Sequence, residues 1–465
     1  MERKNAWEKY DEKSISKVMD FAEGYRKFIS NNKTERECVE EFVKMAEADG
    51  FKNLDDVIKE KGTLKAGDKV YAVNMKKTIA TFVIGKRPIE EGMNILGAHI
   101  DSPRIDVKQN PMYEDSDMVL LDTHYYGGVK KYQWVCLPLA LHGVIVKKDG
   151  TVVKVNIGEK EDDPVFVITD LLIHLSQEQL EKSAAKVIDG EKLDVLVGNI
   201  PGPAKDADDK DIKERVKANI VSILEKQYGI EEEDFLSAEI EVVPAGAARD
   251  CGFDRSMILG YGHDDRVCAY PSYKAIAAID APERTCVCLL VDKEEIGSVG
   301  ATGMTSMFFE NTVAEVMNCM GEYSDLIMRR ALKNSFMLSS DVSAGLDPLF
   351  ADAMEKKNSA YLGRGLCFNK YTGAKGKSGS NDANAEFMAK IRKILDDDNV
   401  YFQTCELGRV DLGGGGTIAY ILAKYDMNVI DSGVAVLAMH APFETISKVD
   451  LYEALLGYEA FLKNA

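Results

Sequence analysis

Apolar positions along this chain fall into short runs, and several of the runs end abruptly in acids or histidines. Near the amino terminus the spacing is helical. Val39, Phe42, Val43 and Ala46 fall on one face, and Thr34 with Glu37 has capping-box spacing. The first ~50 residues therefore predict two helices. Three strand-like runs follow: Val70 to Asn74, Thr78 to Ile84 and Met93 to His99. They are short and largely aliphatic or β-branched, as sheet strands are. Between about Pro103 and Pro244 the character changes. Val144-Ile145-Val146 and Val152-Val153-Lys154-Val155 flank Asp149-Gly150, a hairpin signal. A polar, acidic segment from Lys205 to Asp211 leads into a helix-like stretch ending near Tyr228. From Ile258 onward strands and helices alternate. The strands are Thr285 to Asp292, Ser335 to Ser339, Asn428 to Asp431 and Ala435 to Met439. The helix-like stretches are Val267 to Ile279, Asn381 to Leu395, Thr417 to Lys424 and Val449 to Leu462. Alternation of this kind predicts an α/β layer structure with a largely parallel sheet, interrupted by a mostly β insertion.

Length supports that division. The chain has 465 residues, beyond the ~250–300 at which a single core stops growing. The expected segments are 1–102, 103–245 and 246–465, the middle one being the insertion. Hydrophobic residues make up 45% and charged residues 29%, so a large packed core is feasible. With 77 acidic and 58 basic side chains, the formal charge is −19. That field repels phosphate backbones and anionic lipid, which argues against nucleic-acid and membrane partners. It attracts metal cations and the ammonium end of a peptide, although acidity alone also serves solubility. The nine cysteines include no Cys-x-x-Cys pair, and Cys286 and Cys288 would share a strand face as small buried hydrophobes. This points to a reducing compartment and away from a thiolate zinc site. The start, Met1-Glu2-Arg3-Lys4, lacks an apolar signal core, and no apolar run reaches membrane-span length. A cytoplasmic location is the expectation.

Six histidines occur in the chain, and their settings matter. His99 closes the run Ile95-Leu96-Gly97-Ala98, with Asp101 two residues on. On a strand, positions i and i+2 face the same side, so Asp101 can hold one ring nitrogen while the other binds a metal. The run from Cys286 to Val291 leads into Glu294 and Glu295. Adjacent carboxylates project differently, so one can ligate while the other reaches the water that the metal activates. Ser339-Ser340-Asp341 and Ala438-Met439-His440 repeat the pattern, and His263-Asp264-Asp265 places two acids in a glycine-containing turn. Each feature alone has an ordinary explanation as a charged turn, a capped helix start or a core histidine. Together, four apolar runs end in His99, Glu294/Glu295, Asp341 and His440. Open α/β sheets bind ligands beyond the carboxyl ends of their strands. Two histidines and three carboxylates suit zinc, cobalt or manganese.

These stretches resemble the aspartyl aminopeptidase/vacuolar aminopeptidase I family of dinuclear zinc exopeptidases, in particular its bacterial branch. The likeness is carried by Gly97-Ala98-His99-Ile100-Asp101-Ser102-Pro103, His263-Asp264-Asp265-Arg266-Val267-Cys268, Asp292-Lys293-Glu294-Glu295-Ile296-Gly297-Ser298, Ser340-Asp341 and Met439-His440. Lys377-Ser378-Gly379-Ser380-Asn381-Asp382 and Gly413 to Thr417 also match, and the likeness runs over nearly the full length. The resemblance implies a zinc-exopeptidase-like α/β sandwich interrupted by a mostly β dimerisation domain. It implies two divalent ions, most simply Zn2+ with Co2+ or Mn2+ as alternatives. Asp264 would bridge them, His99 and Asp341 would complete one site, and Glu295 and His440 the other. Glu294 would be the general base and Asp101 the orienter of His99. His174 would sit where the family places a histidine that reaches a neighbouring subunit, in a hollow tetrahedral dodecamer; a buried interface histidine without a catalytic part is the alternative. Two ions roughly 3.5–4 Å apart can share a hydroxide and polarise a scissile carbonyl. A free substrate amino terminus could ligate one ion or meet a carboxylate, so the expected partners are peptides with a free N-terminus.

Other readings compete. Gly376-Lys377-Ser378 matches the end of a phosphate-binding loop, but its required first glycine falls at Tyr371, so the spacing fails. Gly413 to Gly416 could cradle an anion, line a substrate cleft or merely permit a turn. The intact set of acids and histidines speaks against a catalytically idle assembly or cargo protein on a peptidase fold, whereas a dinuclear carboxypeptidase or deacylase fits the residue physics as well. For an acidic substrate side chain, Lys370, Lys375, Lys377 and Arg409 are the available cations. The −19 charge favours neutral or basic N-terminal residues instead.

Overall fold

A computed structural model describes residues 4–205 and 210–465. The first three residues, and 206–209 of the acidic stretch expected between Lys205 and Asp211, lie outside the described residues. The chain divides into two compact units: Met1–Ser102, Ala248–Met439 and Glu444–Ala465 form the first, and Pro103–Ala247 with His440–Phe443 the second.

The first unit is built on a nine-stranded mixed sheet. At its centre Cys286–Val291, Asn94–His99, Phe336–Ser340 and Asn428–Gly433 lie side by side and all parallel. Antiparallel neighbours flank this block, Thr78–Val83 on one side and Leu366–Asn369 on the other. The largely parallel sheet of the sequence reading is therefore a parallel centre with antiparallel shoulders. Alternation along a strand sorts its side chains between two cores. Cys286, Cys288 and Leu290 join one cluster, and Val287, Leu289 and Val291 join the other. The two cysteines thus share a face as buried hydrophobes.

Helices cover both faces. The first core takes in the helices Ile15–Asn31, Glu35–Ala48, His263–Ala277 and Lys448–Asn464, and the second takes in Phe308–Met320 and Asp325–Lys333. The helix Glu35–Ala48 starts on the expected capping box, with Thr34 accepting from the Glu37 N–H and Glu37 reaching back. Losing that Thr side chain would cost about 1 kcal/mol. A separate five-stranded sheet in the same unit contains Ser343–Ala344, Ala435–Leu437 and Glu444–Ser447. The run ending at His440 belongs there. It is not a strand of the large sheet, which corrects the expectation that four runs end together at one sheet's edge.

The second unit is a six-stranded antiparallel sheet, including the hairpin Leu139–Val146 with Val152–Ile157 and its turn glycine Gly150 at φ +87. Its helix Arg215–Tyr228 stops at Gly229, which is left-handed.

Candidate metal centre

Carboxyl-terminal strand ends bring the acids to His99. The imidazole is the last residue of Asn94–His99 and is 1% exposed. The parallel neighbours on either side end just before Asp292 and Asp341. From the first of these, the left-handed Lys293 turns the chain into the short helix Glu294–Ile296.

The ring of His99 is held from one side. Its Nδ1 is 3.0 Å from the Asp101 carbonyl oxygen and 3.3 Å from an Asp101 carboxylate oxygen. Both mark Nδ1 as the donor, which leaves Nε2 with a lone pair for a cation. Nε2 faces Asp264 at 3.2 Å, Asp341 at 3.7 Å and Glu294 at 3.9 Å. Asp101 is fully buried, and its two oxygens accept the main-chain N–H groups of Glu294 and Glu295 at 3.2 Å each. Asp101 therefore contacts both the histidine, through its carbonyl and its carboxylate, and the acidic turn that carries Glu294 and Glu295.

Asp264 and Asp265 come from the helix His263–Ala277, whose first turn is not helical at these two residues, and the peptide bond joining them is cis. Gly262 enters that turn at φ +75, and a Cβ on it would lie 2.2 Å from Arg266 Nη1. The buried Arg266 guanidinium donates to the carbonyls of Ile100 and Lys33 at 3.0 and 2.8 Å, tying the residue after His99 to the helix layer.

Donor atoms of His99, Asp264 and Glu295 lie within 4.8 Å of one another, as do those of His99, Asp265 and Asp341. Four of the five expected ligands (His99, Asp264, Glu295, Asp341) are thus gathered in the first unit. His440 falls in the second unit, half-buried, with Nδ1 3.0 Å from the Gly128 carbonyl. His174 is also in the second unit, in the exposed turn Ile173–Leu175. Asp265 joins the cluster although only its neighbour Asp264 was singled out. Adjacent acids after His263 were the available signal, and strand or helix periodicity could not say which of them points inward.

The electrostatics describe a site that wants positive charge. Burial raises the Asp265 carboxyl well above the usual range, with the Asp341 charge adding to it. The Cys268 thiol is the group that lies against the Asp265 carboxyl. Burial also raises Asp341, and it raises Glu294 to about 8 with help from Asp341. For His99, burial opposes the charge, but Asp101, Asp264 and Asp341 outweigh it and hold the imidazole well above its usual value. Buried and partly buried carboxylates grouped around one imidazole fit a divalent cation of the zinc class.

Of the four cations considered for an acidic substrate pocket, Lys370 and Lys377 both pair with Asp382, the latter at 3.3 Å. Lys375 and Arg409 are exposed.

An α/β fold that collects histidine and carboxylates beyond its parallel strands has the make-up of a metal-dependent hydrolase. A family model described as aminopeptidase I zinc metalloprotease (M18) matches residues 28–462. The chain belongs to this family and is a peptidase. It is 60% identical over 463 residues to the protein named "Probable M18 family aminopeptidase 1" of Clostridium acetobutylicum, covering 100% of this chain and 98% of the relative. The crystal structure of aminopeptidase I from that organism matches with a TM-score of 0.92 at 58% identity, covering 100% of both chains. An M18-family aminopeptidase from Thermotoga maritima gives a TM-score of 0.94 at 42% identity, again over 100% of both chains.

Proposed function

We propose that the chain is an aminopeptidase that uses two divalent metal ions, with Glu294 as its general base. The observation that carries this is the pair of ligand groups meeting at His99. A ring nitrogen has one lone pair, and Nδ1 faces Asp101, so His99 can serve one ion only. The remaining acids call for a second ion. In this reading His99 and Asp341 would hold one ion, Glu295 would hold the other with His440 as its remaining expected ligand, and Asp264 would serve both. Asp265 lies against the first site. Bound there, such ions supply an electrophile for the scissile carbonyl and an acidified water.

The residues of the chain do the rest. Glu294 stands 3.9 Å from His99 Nε2, at the edge of the ligand group, and its main chain is pinned by Asp101. It takes a proton from the attacking water and returns it to the departing amine, closing the proton balance of hydrolysis. Acids not spent on the ions would receive the substrate ammonium. Asp382 already engages both Lys370 and Lys377 and the chain carries a formal charge of −19, so neutral or basic N-terminal residues are the proposed substrates. A cytoplasmic homo-oligomer, of dodecameric form and with the second unit as dimerisation domain, is also proposed. The exposed Ile173 and Leu175 flanking His174, 68% and 69% exposed, support a protein contact at that turn.

Metal analysis of chelated and reloaded protein tests the centre. Two zinc, cobalt or manganese ions per chain is the expected count, and a chain that takes up none contradicts it. Light scattering tests the assembly.

A further inference from the structure

We propose that Glu444 is a positioning residue for the metal centre, acting through the main chain of Asp264; the inference rests on the metal-centre reading above. Asp264 sits at φ −77 and ψ 108, in the non-helical first turn of His263–Ala277 that it shares with Asp265. Its peptide groups are therefore out of the helix ladder and must find partners elsewhere. They find one on each side. The Asp264 N–H donates to Glu444 Oε2 at 3.0 Å, and its carbonyl accepts from Ser102 Oγ at 2.6 Å. Glu444 is 1% exposed and Ser102 fully buried.

Both clamps come from segments that also supply expected site residues. Ser102 follows Asp101 directly, and Glu444 lies four residues after His440. Glu444 begins the strand Glu444–Ser447 and pairs with Gly260, in the strand that leads into the Asp264 turn. The acceptor is thus mounted on the same ladder as the residue it holds. A carboxylate that must serve two ions tolerates little rotation, and a support of this kind fixes its direction. Glu444 does not need to touch substrate or metal to matter. Toward the buried Asp264 N–H it acts as an acceptor, a part that a glutamine oxygen can take and an alanine cannot.

The test is metal binding by full-length protein, read by Co2+ titration and visible absorption, and by zinc retention against a chelator. Glu444→Ala should lose roughly 10–100-fold in affinity for the more weakly held ion and change the Co2+ spectrum. Glu444→Gln should keep wild-type titration and spectrum. Ser102→Ala, which frees the carbonyl of the same residue, should weaken the same ion and carries the test if Glu444→Ala does not fold. Titrations of Glu444→Ala and Ser102→Ala that superimpose on wild type would overturn the role of Glu444. So would a Glu444→Gln protein as impaired as Glu444→Ala. A wild-type protein that binds no metal would instead overturn the centre itself, so the two failures are distinct.

Discussion

The Asp101 carboxylate accepts the main-chain N–H of Glu294 through Oδ1, at 3.2 Å. Its other oxygen takes the Glu295 N–H, and its backbone carbonyl faces His99 Nδ1. One buried acid therefore contacts both the histidine and the turn that carries the glutamate pair. Asp101→Ala should lower metal affinity or turnover by roughly 10–100-fold. Asp101→Asn can keep one of the two acceptors and should fall between. Chelator competition and steady-state kinetics on the same preparations check this; wild-type behaviour of Asp101→Ala would remove its orienting role.

Glu294→Gln keeps size and packing but cannot accept the proton. It should retain its full metal complement and lose about 10²–10⁴-fold in kcat, with KM little changed. Metal analysis beside kinetics separates this from a binding defect. Near-normal turnover would remove Glu294 from the base role.

Burial and the Asp341 charge make ionisation of Asp265 costly, which is why its carboxyl is raised well above the usual range. In the metal-free protein that cost is not offset, so Asp265→Asn should melt higher than wild type after chelation. In excess zinc the order should reverse, because stabilisation by a ligand grows with its affinity for the folded state. Thermal denaturation with and without zinc reads both signs. If the order is the same in both conditions, Asp265 does not face the ions.

Gly433 is packed against the residue it neighbours across the sheet. A Cβ there would lie 1.8 Å from the Asp341 carbonyl oxygen and 3.2 Å from Cys268 Sγ. Asp341 cannot retreat freely, since its N–H is bonded to the Ser432 carbonyl at 2.8 Å. Gly433→Ala should cost about 1–3 kcal/mol of stability and reduce metal uptake by moving Asp341. Denaturant unfolding and metal counts check the two effects; a variant of wild-type stability would show that the strands yield.

Local patterns made much of this fold legible. The Thr34–Glu37 capping box, the run from Asn94 to His99 and the run from Cys286 to Val291 are visible because period and cap chemistry are local properties. The same pattern placed His99 and the acids at strand ends. It could not assign Ala435–Leu437 to the smaller sheet, because strand pairing is decided by distant partners, here Ser343–Ala344 and Glu444–Ser447. Asp265 was obscured for a related reason: its direction depends on a non-helical turn at Asp264. Glu444 carried no signal at all, since its partner is a backbone N–H 180 residues away.

The most direct test is release of aminomethylcoumarin from aminoacyl substrates (Asp, Glu, Leu, Lys, Arg), before and after chelation and with zinc, cobalt or manganese restored. The account predicts hydrolysis that needs a free amino group, disappears on chelation, returns with metal, and favours Leu, Lys or Arg. Cleavage of N-acetylated substrates, or turnover indifferent to chelation, would contradict it.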